Sequence, residues 1–325
     1  MNFTLASVWK QTPLVTIIIP TRPEQVEIKA LNAARKLEYP ASRLEIIVAR
    51  GKQPSVQRNA ALKIARGEII YFLDDDSEPE TMNLRKAIQH FNRPDVKMVG
   101  GPNLCPADVP PIEQAFASTM GSWLAFGPSC SRYRSVSVLR ESSEKELILC
   151  NLLARRKDLL ELGGFDESLY PNEENALMDE LQKRGGKLLY DPDIFVHRRP
   201  RPSFKTFCKM LLNYGRGRAE QVRLHPTAGS APNFIPPAFC VFLFATPLIY
   251  LLTPAVLVLW GFYFALVLIQ TVALVSVTSP LQFVRVFGLI FISHVLYGLG
   301  FWKGLFTKPK RPSPSIASEI ILEKM

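Results

Sequence analysis

Three consecutive carboxylates are the first residues of this chain that suggest chemistry. Asp74, Asp75 and Asp76 follow one another directly, and like charges this close together repel each other. A divalent cation relieves that repulsion, and Mg²⁺ or Mn²⁺ is held by one or two carboxylates together with the phosphates of a ligand. The trio therefore predicts a metal site for a phosphorylated ligand. The alternative is a helix start, because Ser77 and Glu80 have the spacing of a capping box.

A second acidic pair, Glu173 and Glu174, follows much later in the chain. The sequence predicts a loop at 171–174 that leads into a helix at 175–184, so both carboxylates would lie at a helix N-terminus. They either stabilise the positive end of the helix dipole or act on a substrate as a general base. The residues alone leave both interpretations open.

The chain around the aspartates alternates between strand and helix patterns. Short runs rich in β-branched residues predict buried strands, and the segments between them have the apolar spacing of helices. The strands are expected at 14–20, 44–49 and 68–73, and the helices at 24–38 and 55–65. This order predicts an α/β fold with a mostly parallel sheet and helices on both faces. Ligands of such sheets bind beyond the carboxyl ends of the strands, which is where Asp74 begins the acidic trio.

The apolar residues gather in the last third of the chain. Hydrophobic residues make up 47% of the sequence, and no Asp, Glu, Lys or Arg occurs from Leu224 to Val284. A helix needs about 20 apolar residues to cross a hydrocarbon core, so a transmembrane region of two or three spans is predicted at 234–305. The spans are expected at about 235–253, 255–277 and 281–302. A buried helical hairpin in a soluble domain is the alternative.

Charge and the first residues of the chain predict its orientation in a membrane. Residues 1–10 lack the apolar core of a signal peptide, and basic residues flank the apolar region on both sides, which favours the cytoplasm. We therefore expect a cytosolic domain at 1–233, a basic cytosolic tail at 306–325, and a multi-pass protein of the inner cell membrane. Two cytosolic flanks require an even number of crossings, so one of three apolar segments would be re-entrant or interfacial unless the charge rule fails here.

Composition excludes several other classes of protein. The 325 residues carry a net charge of +10 and are too apolar for a disordered chain. The five cysteines are scattered and form no C-x-x-C pair, so neither a disulfide framework nor a structural zinc site is expected. Basic residues are interspersed with acidic ones and no recognition motif appears, so nucleic acid is not an expected partner.

A set of short motifs, in this order along the chain, resembles the inverting family 2 glycosyltransferases of GT-A fold. The motifs are Pro20-Thr21, Arg58-Asn59, FLDDDSEP at 72–79, GGFDE at 163–167, the acidic pair within 172–175, and YGRGR at 214–218. The last resembles a basic motif that follows the catalytic domain in membrane-linked members that make exopolysaccharides. The resemblance covers about 13–226 and implies a nucleotide-sugar-binding domain, and trailing transmembrane helices are common in the family.

The resemblance implies a role for most of these residues. Glu174 would be the general base, with Glu173 as the neighbouring candidate, and Asp76 and Asp74 would hold the Mg²⁺ or Mn²⁺ ion with His197 as a further ligand. The implied donor-binding residues are Pro20, Thr21, Arg58, Asp74, Asp75, Arg216 and Arg218. His197 has a second interpretation as a structural hydrogen-bonding residue, and the last two arginines as a basic patch on anionic lipid.

The resemblance also implies partners and a reaction. The partners are a nucleotide-diphosphate sugar, a saccharide or lipid-linked acceptor, and membrane lipid. Family members place an acidic residue after the second strand to read the base, but here that strand ends in ARGK at 49–52. The residues therefore do not identify the base, and UDP is a default rather than a deduction. An inverting transfer is a single displacement in which a base deprotonates the acceptor hydroxyl and a cation stabilises the departing diphosphate.

Two other functions remain as alternatives. A nucleotidyltransferase-like enzyme uses a similar α/β architecture, but it normally has a Gly-rich basic loop after the first strand, where this chain has PTRPE at 20–24. A non-catalytic nucleotide-binding membrane protein would not need the pair Glu173 and Glu174.

Overall fold

The computed structural model describes residues 12–136, 138–169, 172–226, 228–275, 279–307 and 319–325 of the chain. In these ranges an α/β domain is followed by three long apolar helices and a final strand. The strands are β1 (Val15–Thr21), β2 (Leu44–Arg50), β3 (Ile69–Leu73), β4 (Glu78–Pro79), β5 (Val96–Gly100), β6 (Asn103–Leu104), β7 (Arg140–Ser142), β8 (Asn151–Arg155), β9 (Lys187–Tyr190), β10 (Val196–His197) and β11 (Ile321–Lys324). The helices are α1 (Lys29–Ala34), α2 (Pro54–Ile64), α3 (Asn83–His90), α4 (Pro111–Met120), α5 (Trp123–Phe126), α6 (Arg156–Glu161), α7 (Glu173–Lys183), α8 (Phe204–Leu224), α9 (Ile235–Leu252), α10 (Val256–Leu274) and α11 (Pro280–Phe306).

The core of the domain is an eight-stranded mixed sheet with the order β11-β2-β1-β3-β8-β5-β9-β7. β1 pairs in parallel with β2 and β3, whereas β8 runs antiparallel to both β3 and β5. Alternate residues of β1 enter opposite apolar clusters, with Ile17 and Ile19 on one face and Ile18 on the other. Both faces are therefore covered, which is why every residue of β1 is buried.

The strands predicted around the aspartates are present, but the helix start predicted at Ser77 is wrong. Residues Glu78–Pro79 form β4 instead, and the next helix begins at Asn83. Ser77 is fully buried and its hydroxyl has no hydrogen-bond partner among the described residues, so it caps no helix. β4 and β6 both pair with β10 in a small second sheet. This sheet places the chain that follows β10 beside the acidic trio.

Three helices in the described ranges are long and apolar enough to cross a membrane, at Ser230–Leu252, Val256–Leu274 and Pro280–Phe306. They coincide with the three predicted apolar segments. In the most apolar stretch of each helix, 11% of the first helix, 17% of the second and 33% of the third is buried within the protein. The third, α11, is the more buried because it packs along α8 and α4 in a separate apolar cluster that includes Phe116, Phe207 and Leu289.

The end of the chain does not remain a free tail. Residues 308–318 of the predicted tail lie outside the described residues, but β11 pairs antiparallel with β2, with Ile321 opposite Arg50. Glu323 accepts a hydrogen bond from Arg50 at 2.7 Å, and Lys324 lies 3.2 Å from Glu45. The last described residues thus belong to the sheet of the α/β domain.

Two glycines of α11 give a matched test of its packing. A Cβ atom at Gly300 would lie 2.2 Å from the carbonyl oxygen of Leu212 in α8, whereas one at Gly288 would meet nothing within 4 Å. We expect Gly300→Ala to destabilise the folded protein by about 1–3 kcal/mol, because the two helices must separate. Gly288→Ala should be neutral or stabilising by up to about 1 kcal/mol through helix propensity. Thermal unfolding of the detergent-solubilised protein measures both, and equal effects would show that α8 and α11 are not in close contact.

Candidate active site

A large open cavity lies at the carboxyl ends of β1, β2 and β3, with a volume of about 980 Å³. The acidic trio and the acidic pair both line it, so residues far apart in the sequence share one site. Thr21 lines it from the end of β1, and Tyr214, Arg216 and Glu220 line it from α8. The position follows from the topology, because the carboxyl ends of neighbouring parallel strands open at the same side of a sheet.

Five ionisable side chains, alternately acidic and basic, run across this cavity, and we call them the charge chain. Arg58 lies between two carboxylates, with Nη1 3.1 Å from Glu173 Oε1 and Nη2 2.8 Å from Asp74 Oδ1. Arg198 continues the series, with Nη1 3.0 Å from Asp74 Oδ2 and Nε 2.6 Å from Asp76 Oδ1. The charge chain therefore joins α7, α2, the end of β3 and the residue after β10.

Three consecutive residues of α2 hold the site together. The Gln57 side chain donates hydrogen bonds to the carbonyl oxygens of Thr21 and Ala49, and so ties the ends of β1 and β2. Arg58 occupies the centre of the charge chain, with only 5% of its side chain exposed. Asn59 accepts a bond from the Phe165 N–H at 2.9 Å and donates one to its carbonyl oxygen at 2.9 Å.

The GGFDE segment fits against this helix because one of its positions has no side chain. Gly164 has φ +83°, and a Cβ atom there would lie 2.4 Å from Asn59 Oδ1. Both the positive φ and the close approach require glycine. The motifs Arg58-Asn59 and GGFDE thus form one contact, which brings α7 and its acidic residues over the cavity.

The acidic pair lies at the N-terminus of α7, and its two members differ in environment. Asn172 turns the chain into the helix with φ 97°, and the Asn175 side chain donates a hydrogen bond to Asn172 Oδ1 at 2.8 Å. Glu173 is 2% exposed and belongs to the charge chain. Glu174 is half-buried, lines the cavity, and makes no ion pair or side-chain hydrogen bond within the described ranges. Of the two, Glu174 has the carboxylate available to a ligand.

Burial and charge act in opposite directions on these carboxyl groups. Burial and the adjacent Glu174 raise the pKa of Glu173 from 4.5 to about 8, although Arg58 opposes the shift. Burial also opposes ionisation of Asp74, but the guanidinium groups of Arg198 and Arg58 outweigh it and lower the pKa of this carboxyl. Asp74 is thus fixed as an anion, whereas Glu173 holds a proton unusually tightly.

Asp75 takes a separate position within the trio. Its carboxylate accepts a hydrogen bond from the Thr21 hydroxyl at 2.9 Å, which joins the ends of β3 and β1. Burial raises its pKa, and the neighbouring Asp76 and Asp74 add to the shift. The implied donor-binding residues Thr21 and Asp75 therefore contact one another at the cavity wall.

The donor atoms of the site suit a divalent cation that a bound diphosphate would complete. No group of three or more His, Cys, Asp or Glu side chains converges within the ranges described, so the protein does not build a closed metal cage there. Asp74 and Asp76 both face the cavity, and Asp76 keeps 44% of its side chain exposed. One or two carboxylates with substrate phosphates is the usual arrangement for Mg²⁺. These two residues would hold the ion.

The structure brings most of the predicted site residues together, but not all of them. Pro20, Thr21, Arg58, the acidic trio, the acidic pair and Arg216 all line the cavity. Arg218 is buried elsewhere on α8, where it donates to Gln221 Oε1 at 3.0 Å. His197 is not part of the cavity lining either; its ring packs edge-on against Phe195, and its Nε2 lies 3.9 Å from Glu80. The metal role of His197 and the donor role of Arg218 stay predictions.

Sequence reasoning missed Arg198, although the signal was present. It directly follows β10, and ligands of such sheets bind at the ends of strands. The prediction named the neighbouring His197, but alternation along a strand turns neighbouring side chains to opposite sides. Arg198 thus reaches the trio, whereas His197 points toward Phe195. The sequence-based prediction also missed the cavity residues Tyr214 and Glu220, because it assigned donor binding on α8 to the arginines alone.

The sequence profile of Glycosyl transferase family group 2 matches residues 69–294 of this chain. The match covers well over half of the sequence and includes the acidic trio, the acidic pair and most of the apolar helices. The chain belongs to this family, as its motifs predicted.

Two further comparisons agree with this assignment. The pre-mycofactocin glycosyltransferase of Mycobacterium tuberculosis, from strains CDC 1551 / Oshkosh and H37Rv, is 26% identical over 175 residues. That match covers 54% of this chain but 36% of the relative, so the chain spans well under half of the relative's length. Among solved structures, mannosyltransferase PcManGT from Pyrobaculum calidifontis, in complex with GDP-Man and Mn²⁺, superposes with a TM-score of 0.54 at 17% identity. The superposition covers 91% of this chain and 88% of that one, and it confirms the GT-A-type fold.

The raised pKa of Glu173 predicts a pH-dependent stability. The folded protein holds this proton up to about pH 8, whereas the unfolded chain releases it near 4.5. The stability that protonation contributes is therefore complete below pH 4.5 and is lost as the pH rises through 8. Glu173→Gln mimics the protonated form and does not lose this stability at high pH. The unfolding temperature of the variant minus that of the native protein should therefore increase by a few degrees between about pH 5 and about pH 9.

The matched control is Glu180→Gln on the same helix, where Glu180 forms an exposed ion pair with Arg184. Its unfolding temperature relative to the native protein should stay level across the same range. If the difference in unfolding temperature between Glu173→Gln and the native protein is also constant across this pH range, Glu173 is ionised in the folded protein.

Proposed function

We propose that this protein transfers a sugar from a nucleotide-diphosphate sugar to an acceptor hydroxyl with inversion, in the synthesis of a polysaccharide or glycoconjugate. The observation that supports this most directly is the shared cavity. Asp74, Asp75 and Asp76 meet Glu174 across it, although the two groups are far apart in sequence. A transfer by single displacement needs one region for the departing diphosphate and one base for the incoming hydroxyl.

The diphosphate would lie against the acidic trio. Asp74 and Asp76 would hold Mg²⁺ or Mn²⁺ there, and the ion would supply positive charge to the leaving diphosphate. Arg216 lines the same cavity from α8, and a guanidinium group matches phosphate oxygens in a bidentate way. The nucleoside would then lie toward Thr21 and Pro20 at the end of β1. UDP remains the default nucleotide.

Glu174 would take the proton from the acceptor hydroxyl. Its carboxylate is free of the arginines that contact Asp74, Asp76 and Glu173, and it lines the same cavity. Glu173, the second candidate, is buried and paired with Arg58 at 3.1 Å. In this proposal Glu173 positions Arg58 and Asp74, and Glu174 acts on the substrate.

The acceptor would be linked to a membrane lipid. The helix α8 lines the cavity with Tyr214, Arg216 and Glu220, and it packs against the apolar helix α11 along an adjacent face, where Gly304 approaches the Arg216 backbone. The cavity is thus one helix away from the apolar region. A multi-pass protein of the inner cell membrane, with its α/β domain in the cytoplasm, would receive a saccharide carried on a lipid at this point.

The base assignment predicts a loss of rate with binding preserved. Glu174→Gln should lower the transfer rate by about 10²–10⁴, the usual contribution of a general base, while the affinity for the nucleotide sugar changes little. Initial rates of sugar transfer in purified membranes, with donor binding measured separately, provide the test. Glu180→Gln on the same helix should keep the native rate. A loss below threefold in Glu174→Gln would move the base elsewhere, and absence of transfer by the native protein with every donor tested would favour a chain that only binds nucleotide.

The donor and metal assignments predict a rise in unfolding temperature that depends on both the nucleotide sugar and Mn²⁺. A panel of UDP-, GDP- and dTDP-sugars with Mn²⁺ should single out the donor, since saturation at about 100 Kd stabilises a protein by about 2.7 kcal/mol. This corresponds to roughly 5–10 °C for a domain of this size. In Asp76→Ala the part of the shift that requires Mn²⁺ should vanish and the unliganded protein should stay folded. An undiminished Mn²⁺-dependent shift would remove Asp76 from the metal site.

A further inference from the structure

The chain leaves the α/β domain before the apolar helices and returns to it after them. It leaves through α8, which lines the cavity, and returns at β11, which pairs with β2 in the sheet. Lys52, at the end of β2, also lies 3.0 Å from Glu319 just before β11. Both connections are parts of one water-exposed domain, so the chain between them crosses a bilayer an even number of times. Three helices are nevertheless apolar and long enough to cross.

Two of the three helices, α9 and α10, form a hairpin with an exposed turn, and both also pack against α11. Cys240 Sγ of α9 lies 3.4 Å from the Val295 carbonyl oxygen, and Tyr263 Oη of α10 lies 2.8 Å from His294 Nδ1. α9 begins in contact with α11, where Trp302 Nε1 donates to the Pro237 carbonyl oxygen at 3.0 Å, and it ends with Leu251 and Leu252 80% and 81% exposed. α10 returns, and near its end Gln270 accepts a bond from the Leu124 N–H at 3.3 Å. Helices of 18 and 19 residues are about 27–29 Å long, which matches a hydrocarbon core of about 30 Å.

The third helix lies along α8 instead. Gly300 approaches the Leu212 backbone and Gly304 approaches the Arg216 backbone, so the numbering rises in the same direction on both helices. Farther along, Arg223 Nη1 donates to the Thr307 carbonyl oxygen at 2.7 Å. α11 is therefore parallel to α8, with close backbone contacts over its second half.

The charges of α8 exclude it from the hydrocarbon core. It carries six charged side chains within 21 residues, and each would be costly at the centre of a bilayer. They are Lys205, Lys209, Arg216, Arg218, Glu220 and Arg223. Since α11 lies against α8 along a line of glycines, it stays at the same depth. Lys303, exposed near the end of α11, also favours the aqueous boundary.

We propose that α9 and α10 are the two membrane crossings, and that α11 lies along the membrane surface between the bilayer and the catalytic domain. This arrangement satisfies the even number of crossings, since the chain returns to the domain before β11 pairs with β2. The proposal rests on the membrane location given above. It adds that the site is held at a fixed height above the membrane, because α8 both lines the cavity and contacts the surface helix.

Cysteine labelling from each side of the membrane tests the arrangement. Three reporter positions are exposed: Lys157 on α6 of the α/β domain, Thr253 in the turn between α9 and α10, and Lys303 near the end of α11. The full-length protein with Cys105→Ser and Cys208→Ser is the background, because the other three cysteines are buried. Each of K157C, T253C and K303C is treated with a membrane-impermeant maleimide in sealed vesicles of both orientations, and a detergent-opened sample shows total reactivity.

We expect K157C and K303C to be labelled from one side and T253C from the other only. Labelling of K303C together with T253C would mean three crossings and would overturn the proposal. Labelling of T253C from the K157C side would mean that the hairpin does not cross, which would also overturn it. Recovery of the chain in the soluble fraction would instead contradict the membrane location, and sugar transfer measured separately would still decide the catalytic proposal.

Discussion

The buried guanidinium of Arg58 is the interaction on which the rest of the site depends. A guanidinium with 5% of its side chain exposed is costly to bury unless carboxyl groups contact it, and Arg58 contacts Asp74 and Glu173 through its two Nη atoms. These two carboxylates come from the end of β3 and the start of α7. The arginine thus fixes the distance between the region proposed for the diphosphate and the region proposed for the base.

The same series of charges explains why three adjacent aspartates are stable in one loop. Each carboxylate has a partner: Asp74 contacts Arg58 and Arg198, Asp75 accepts from the Thr21 hydroxyl, and Asp76 shares Arg198 with Asp74. Their mutual repulsion is therefore offset by the protein itself. A cation held by Asp74 and Asp76 would have to compete with the guanidinium groups that already contact both oxygens of Asp74 and one oxygen of Asp76.

Local patterns in the sequence predicted the elements but not the contacts between distant ones. The β-branched runs gave β1, β2 and β3 because buried parallel strands select such residues, and the uncharged stretch gave the three apolar helices. The pairing of Arg58 with Glu173 spans 115 positions and leaves no periodic signal. The same holds for β11, whose Glu323 lies 273 positions from Arg50. Four residues of mixed polarity near a basic segment do not indicate a strand until their partner is known.

The position of β11 at the outside of the sheet has a consequence for any soluble fragment of this protein. A strand as apolar as β2 presents unpaired backbone groups when nothing covers its outer side, and such sheet edges recruit other chains and aggregate. β11 covers that edge, and it does so with Glu323 and Lys324, whose charges discourage further strands. A fragment that stops before α9 would lose this cover together with the partner of α8. A fragment that joins the end of α8 to residues 319–325 through a flexible linker would keep the edge closed.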